Sequence, residues 1–343
     1  MERAKKLLTE TFGFDQFLPG QAEVIEHLLA GRSALAIFPT GGGKSLCYQL
    51  PALTFDGVTI VISPLIALMR EQIDVLKSRG IAAARLDSTL SADETREVMS
   101  ALRSGTLRLL YVAPERFSNE RFLQALLHTP VSMFAIDEAH CISEWGHNFR
   151  PDYLKLARFA RACRAQRLFA LTATATPKVA ADICAGFGID RRCMVRTGFY
   201  RPNLTVLTTP IAPEYRDRTL LERLKAQPAG PTIVYVTLQK TSEQVAGRLA
   251  TAGLPARAYH AGMKDDHRAE VQDWFMGSTD GIVVATIAFG MGIDKSDIRY
   301  VYHYNLPKSL ENFSQEIGRS GRDGGTSICE MLVCPDDVCT LEN

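Results

Sequence analysis

Short apolar runs alternate with amphipathic stretches along this chain, the pattern of strands that alternate with crossover helices in parallel sheets. In the first part, strands are expected at Ala34–Phe38, Thr59–Ile62, Ala83–Leu86, Arg108–Val112, Met133–Ile136 and Leu168–Leu171. Helices fall between them. One runs over Leu65–Ser78, and another opens at Ser91, where Ser91 and Glu94 have capping-box spacing. A second series follows the Pro-containing joint Phe199-Tyr-Arg-Pro-Asn203, with strands at Thr205–Thr208, Thr232–Val236, Ala256–Tyr259, Gly281–Ala285, Arg299–Tyr304 and Ile328–Val333. The expectation is an α/β protein of two lobes, residues 1–200 and 201–343, each a mostly parallel sheet flanked by helices. No short-period repeat or low-complexity tail interrupts it.

Length agrees, since 343 residues are enough for two domains. Hydrophobic residues make up 46% and charged residues 22%, an ordinary soluble composition. A net charge of +1 means that any nucleic-acid path is a local stripe rather than a wholly basic surface. The segment from Met1 to Phe14 reads as an amphipathic helix without the apolar core of a signal peptide. The apolar stretch Val58–Met69 contains Ser63 and Pro64 and is too short to span a bilayer. A soluble intracellular protein with no membrane association is expected. Cysteines at 47, 141, 163, 184, 193, 329, 334 and 339 form no CxxC pair, so free buried thiols are expected and no zinc. Cys329 and Cys334 alternate as strand residues do.

Three motifs carry chemistry. The first expected strand runs into Pro39-Thr40-Gly41-Gly42-Gly43-Lys44-Ser45, followed by a helical stretch. Successive glycines let backbone N–H groups wrap an anion, and a helix N-terminus adds partial positive charge. Lys44 then reaches the terminal phosphates of a nucleotide, and Ser45 offers a hydroxyl to Mg²⁺. Phe38 stands where the strict GxxxxGK(S/T) pattern has its first glycine. The second motif, Phe134-Ala-Ile-Asp137-Glu138-Ala-His140, places two carboxylates at a strand end. Asp137 suits Mg²⁺ held through its hydration shell, and Glu138 suits the base that takes a proton from attacking water. The third is Gln315-Glu-Ile-Gly-Arg319-Ser-Gly-Arg322, in which two arginines three residues apart on a helix end can point one way. Facing a cleft, they would neutralise charge on a transferred phosphoryl group.

Taken together, Phe12–Gln21, Pro39–Ser45, Ser63–Gln72, Asp137–His140, Leu171–Thr176, Val284–Lys295 and Gln315–Gly324 resemble the ordered motifs of superfamily 2 helicases. FGFDQFLPGQ before the phosphate loop and CISEWGHNFRPDY after DEAH resemble the RecQ family of DNA helicases in particular, as do FYRPNL, AYHAGM and VATIAFGMGIDK. The resemblance covers about residues 8 to 335. It implies two RecA-like lobes, ATP and Mg²⁺ as cofactors, and 3′→5′ translocation along single-stranded DNA that separates duplexes. Single-stranded and tailed duplex DNA would be the partners, with a single-stranded-DNA-binding protein among the proteins it could meet. It further implies that Gln21 reads the adenine edge, that Phe14 stacks on the base, that Thr172 and Thr174 link nucleotide state to closure, and that Asp294 lies near the ribose or the arginine pair. The compartment would be the nucleoid-containing cytoplasm of a bacterium, or the nucleus of a eukaryote.

Cys141–Tyr153 resembles the family's aromatic-rich loop. Trp145 and Phe149 offer faces for base stacking, worth about 1–3 kcal/mol per base, while His147 and Arg150 offer donors to phosphates. Ser63, Thr89, Asn203 and Thr286 stand where the family contacts the DNA backbone. Leu18 departs from the family, which often has arginine there. The zinc-binding, winged-helix and HRDC regions of many relatives are not expected in a chain that ends about twenty residues after Arg322, so hydrolysis is a firmer expectation than unwinding.

Overall fold

The computed structural model describes residues 1–143, 150–198, 200–289, 293 and 295–337. The chain divides into two compact units, Met1–Phe199 and Tyr200–Asn343.

In the first unit, seven strands form one sheet in the order β3-β4-β2-β5-β6-β1-β7. They are β1 (Ala34–Ile37), β2 (Val58–Ile62), β3 (Ala83–Leu86), β4 (Leu109–Val112), β5 (Val131–Ile136), β6 (Leu168–Thr172) and β7 (Met194–Arg196). Every pairing is parallel. Strands β1, β2, β4, β5 and β6 are buried along their whole length, as strands covered by helices on both faces must be. That is why they read as unbroken apolar runs. Six of these strands lie where the sequence pattern puts them, with ends shifted by up to two residues. The seventh, β7, is a three-residue edge strand whose pattern is too short to stand out.

The second unit holds a six-stranded sheet in the order β10-β11-β9-β12-β13-β8. Its strands are β8 (Leu204–Pro210), β9 (Thr232–Tyr235), β10 (Ala256–Tyr259), β11 (Ile282–Ala285), β12 (Tyr300–His303) and β13 (Ser327–Val333), again all parallel. Alternation along them divides the core between the two faces. Val234, Ile282, Val284, Tyr300 and Tyr302 pack on one face, while Ile233, Tyr235, Val283, Ala285 and Val301 pack on the other. The expected α/β class with two mostly parallel sheets is therefore what the chain adopts.

Local signals act as expected. The helix Ala92–Arg103 starts with a reciprocal capping box between Ser91 and Glu94. Cys329 lies in β13, Cys334 follows it, and the described cysteines are buried free thiols. Among the described residues no helix is long and apolar enough to cross a membrane.

Candidate functional site

Parallel strands put all their C-terminal ends on one edge, where ligands of α/β sheets bind. Three adjacent strands, β5, β6 and β1, bring the first two motifs to that edge in the first unit. From β1 the chain passes through Phe38 and Pro39 into the glycine loop, then into the helix Leu46–Ala52. Gly41 (φ 83°) and Gly43 (φ 65°) take left-handed backbone that glycine adopts without strain. A Cβ on Gly43 would sit 2.3 Å from Gln21 Nε2, so the loop is a cradle that any side chain would fill. Lys44 folds over it, its Nζ donating to the carbonyls of Phe38 (3.0 Å) and Pro39 (3.2 Å). Ser45 hydrogen-bonds the buried Tyr48.

Gln21 is buried and braces this loop. Its Nε2 donates to the Gly43 carbonyl at 2.9 Å, and its Oε1 accepts from the Leu18 N–H at 2.9 Å. Each end of the amide thus holds backbone and keeps one N–H and one lone pair for the adenine edge expected there. Leu18 stands beside it, 47% exposed, and Phe14 is 49% exposed. Thr40 and Gly42 are half-buried and Gly41 is exposed.

Asp137 and Glu138 follow β5. Glu138 has φ 50°, left-handed for a residue with a Cβ, and such strain persists only where surroundings over-determine it. Here the Glu138 N–H donates to Asp137 Oδ1 (2.9 Å), the Asp137 N–H to the Ile62 carbonyl (2.9 Å), and Tyr153 Oη to the Asp137 carbonyl (3.1 Å). Burial and then the Glu138 charge push the Asp137 carboxyl up to about 7, against the pull of Lys44. Lys44, Asp137 and Glu138 are therefore electrostatic neighbours. A buried carboxylate with a hydroxyl across a phosphate cradle is an oxygen donor set that fits Mg²⁺, which binds through one or two carboxylates plus phosphates. Among the described residues no cluster of three or more His, Cys, Asp or Glu could hold a metal unaided.

His140 carries the site across to β6. Its Nδ1 lies 3.2 Å from Glu138 Oε2 and 2.9 Å from Thr172 Oγ1, and Thr172 donates to the Thr174 carbonyl at 3.0 Å. Burial opposes the charged imidazole, but Cys141 and Glu138 outweigh it and raise His140 to about 10.

In the second unit the helix Leu310–Ile317 carries Gln315, and Arg319 and Arg322 occupy the turn after it rather than the helix itself. Glu316 accepts from the buried His303 at 2.7 Å and fixes the helix against β12. Arg319 hydrogen-bonds the phenol of Tyr235 on β9.

The DEAD/DEAH box helicase family model matches residues 18–183, and that of the helicase conserved C-terminal domain matches residues 216–324. The ATP-dependent DNA helicase RecQ of Bacillus subtilis is 44% identical over 98% of this chain and 57% of its own length. That of Haemophilus influenzae is 42% identical over 99% of this chain and 54% of its own. The chain belongs to the RecQ family of DNA helicases. It spans about half the length of the curated RecQ relatives it matches. Among solved structures, the DEAD-box helicase Mss116 bound to ssRNA and UDP-BeF superposes with a TM-score of 0.79 at 17% identity, covering 98% of this chain and 74% of that one. The Mycobacterium smegmatis helicase Lhr bound to ssDNA and AMP-PNP gives 0.72 at 21%, covering 97% and 47%. Those two likenesses show the fold.

The DNA-contact candidates of this RecQ-family chain fare unevenly. Thr89 is exposed, but its hydroxyl accepts from Arg70 (2.9 Å) and Arg85 (3.0 Å) and donates to Asp87 (2.6 Å). Arg150 is exposed at the start of the helix Pro151–Ala162. Ser63 and Thr286 are buried at strand ends. Asn203, expected on the DNA backbone, has both amide N–H groups on the carbonyls of Gly321 and Gly325. Trp145, His147, Phe149 and Asp294 lie outside the described residues.

Sequence reasoning missed Tyr153, Arg201 and the linking role of His140. His140 was visible as the last letter of DEAH. Tyr153 and Arg201 had no signal beyond their place in RecQ-like strings, because their partners are backbone carbonyls.

Proposed function

We propose that this chain is the motor core of an ATP-dependent 3′→5′ DNA helicase and translocase, a DNA-stimulated ATPase serving recombination, replication or repair. Residues 1–200 form its ATP-binding lobe and residues 201–343 its helicase C-terminal lobe. The observation that carries this reading is the meeting of Lys44, Ser45, Asp137 and Glu138 on the carboxyl edge of β1 and β5.

In this reading, ATP displaces the Phe38 and Pro39 carbonyls from Lys44, whose charge moves to the terminal phosphates. Ser45 and Asp137 hold Mg²⁺, which when bound neutralises the phosphate oxygens and orients them. Glu138 accepts the proton of the attacking water, while Gln315 helps orient that water. Arg319 and Arg322 neutralise charge on the transferred phosphoryl, the part that arginine fingers play. His140 ties the state of Glu138 to Thr172 and Thr174, so loss of the phosphate is felt on β6. Phe14 and Gln21 form the base end of the site. Exposed Thr89 and Arg150, with Trp145 and Phe149, are proposed to lie along the DNA path.

The test is strand displacement by the 343-residue chain on 3′-tailed, 5′-tailed and blunt duplexes with ATP. Unwinding of the 3′-tailed substrate above the other two is expected. Equal unwinding of 5′ tails would refute the polarity. DNA-stimulated hydrolysis without displacement would reduce the function to that of a nucleotide-switched clamp.

A further inference from the structure

The stretch from Gly318 to Gly325 holds both arginines and is built of turns, so nothing in its own secondary structure fixes where they point. The N–H groups of Gly321 and Asp323 bond the carbonyls of Ile298 and Ser296, Asp323 pairs with Arg299, and two side chains from the start of the second unit add to this hold. Arg201 donates from Nη1 to the Gly318 carbonyl (3.1 Å) and from Nη2 to the Gly321 carbonyl (2.5 Å). Asn203 Nδ2 donates to the Gly321 and Gly325 carbonyls, each at 2.9 Å. The four bonds bracket Arg319 and Arg322, landing before, between and after them.

The fit is close enough to dictate sequence. Gly321 has φ 55°, and a Cβ there would lie 2.6 Å from Asn203 Nδ2 and 2.6 Å from the Gly325 carbonyl. The arrangement also sets two cations side by side, because Arg201 loses basicity through burial and then through the charge of Arg322. Placing like charges together is unfavourable. A neutral residue would avoid that cost if the turn needed only a filler, whereas a guanidinium fork matches two carbonyls at once.

We infer that Arg201 and Asn203 are positioning residues for the arginine pair, which they act on by fixing the backbone of the turn. The inference rests on the role proposed for Arg319 and Arg322. It also replaces the DNA-backbone contact expected of Asn203, since the donors such a contact would use are already committed. Charge stabilisation by preorganised donors depends on their being held before the reaction, and a displacement of about 1 Å can cost on the order of a hundredfold in rate.

The experiment measures ATP hydrolysis at saturating single-stranded DNA, and nucleotide-free DNA binding, for Asn203→Ala, Arg201→Lys, Arg319→Ala, Arg322→Ala and the double variant Asn203→Ala/Arg319→Ala. Arg201→Lys keeps the charge and loses the fork, so it decides the matter if thermal melting shows Asn203→Ala to be unfolded. In the two positioning variants, kcat is expected to fall about tenfold to a hundredfold, while KM for ATP and the DNA Kd stay within about twofold. The double variant is expected to be no slower than Arg319→Ala alone, because residues acting through one another are not additive. Wild-type kcat in both positioning variants, or an additive double loss, overturns the inference. So does weaker DNA binding by Asn203→Ala with kcat intact at saturating DNA, which would restore the backbone contact. Wild-type turnover in both Arg319→Ala and Arg322→Ala would instead remove the finger role, and the inference with it.

Discussion

The phosphate loop of the first unit is tethered from outside by the Gln21 amide, which donates to Gly43 at 2.9 Å, whereas Arg201 and Asn203 pin the arginine turn of the second unit through four hydrogen bonds. The difference matches what each loop is proposed to do. A phosphate must enter the first, and Lys44 must leave the carbonyls of Phe38 and Pro39 to meet it. The second is proposed to admit no ligand and to work only with its charges already aimed. Both use glycines in left-handed backbone, Gly41 and Gly43 in one and Gly321 and Gly324 in the other. Glycine thus gives the shape in both loops, and the turn has the more outside bonds, since Ile298, Ser296 and Arg299 hold it as well.

The comparison can be broken at its strongest point first. Lys44→Ala removes the cation of the yielding loop, and hydrolysis should fall about a thousandfold, the upper range for one group aimed at developing charge. A rate near that of the wild type would mean that Lys44 belongs where it now sits, on its two carbonyls. Glu138→Gln keeps shape and loses the base, so turnover should drop about a hundredfold or more with ATP retained, which nucleotide-trapping assays read directly. Unchanged turnover would move the base elsewhere.

Gln21→Ala cuts the outside tether. If the freed loop keeps its binding shape about a tenth of the time, ATP affinity falls about tenfold in equilibrium titrations, with little change in DNA-saturated kcat. An equal loss in kcat would show the tether to be part of the chemistry rather than of loop shape. The smallest effect is expected at Leu18, exposed beside that tether. Leu18→Arg offers a planar cation to the base, worth about 0.5–1 kcal/mol when exposed, so ATP should bind severalfold more tightly. Identical affinities in the two proteins would show that leucine costs nothing there.

Local rules made much of this legible. The buried apolar runs of β1, β2, β4, β5 and β6, the Ser91 cap and the glycine–lysine loop are each written in neighbouring residues, and the structure has them where periodicity and turn chemistry put them. The edge strand β7 escaped because three residues, Met194 to Arg196, are too few to display a period. At the site, residue types announced the loop and the carboxylates but not their braces. Gln21 meets a carbonyl 22 positions away, and Asn203 meets one 118 positions away. An amide that will read a base or a phosphate looks the same in sequence as one that will hold a backbone, since both need the same donors. Thr89 shows the same ambiguity, its hydroxyl bonded to Arg70, Arg85 and Asp87 at an exposed position proposed to lie along the DNA path.

The claim on which the rest depends is that nucleotide turnover in this chain answers to DNA. The most direct measurement is the steady-state ATP hydrolysis rate of the 343-residue chain with and without saturating single-stranded DNA, with single-stranded RNA of equal length as the control. A many-fold rise with DNA and little with RNA is expected. A rate indifferent to DNA, or raised equally by RNA, would contradict it.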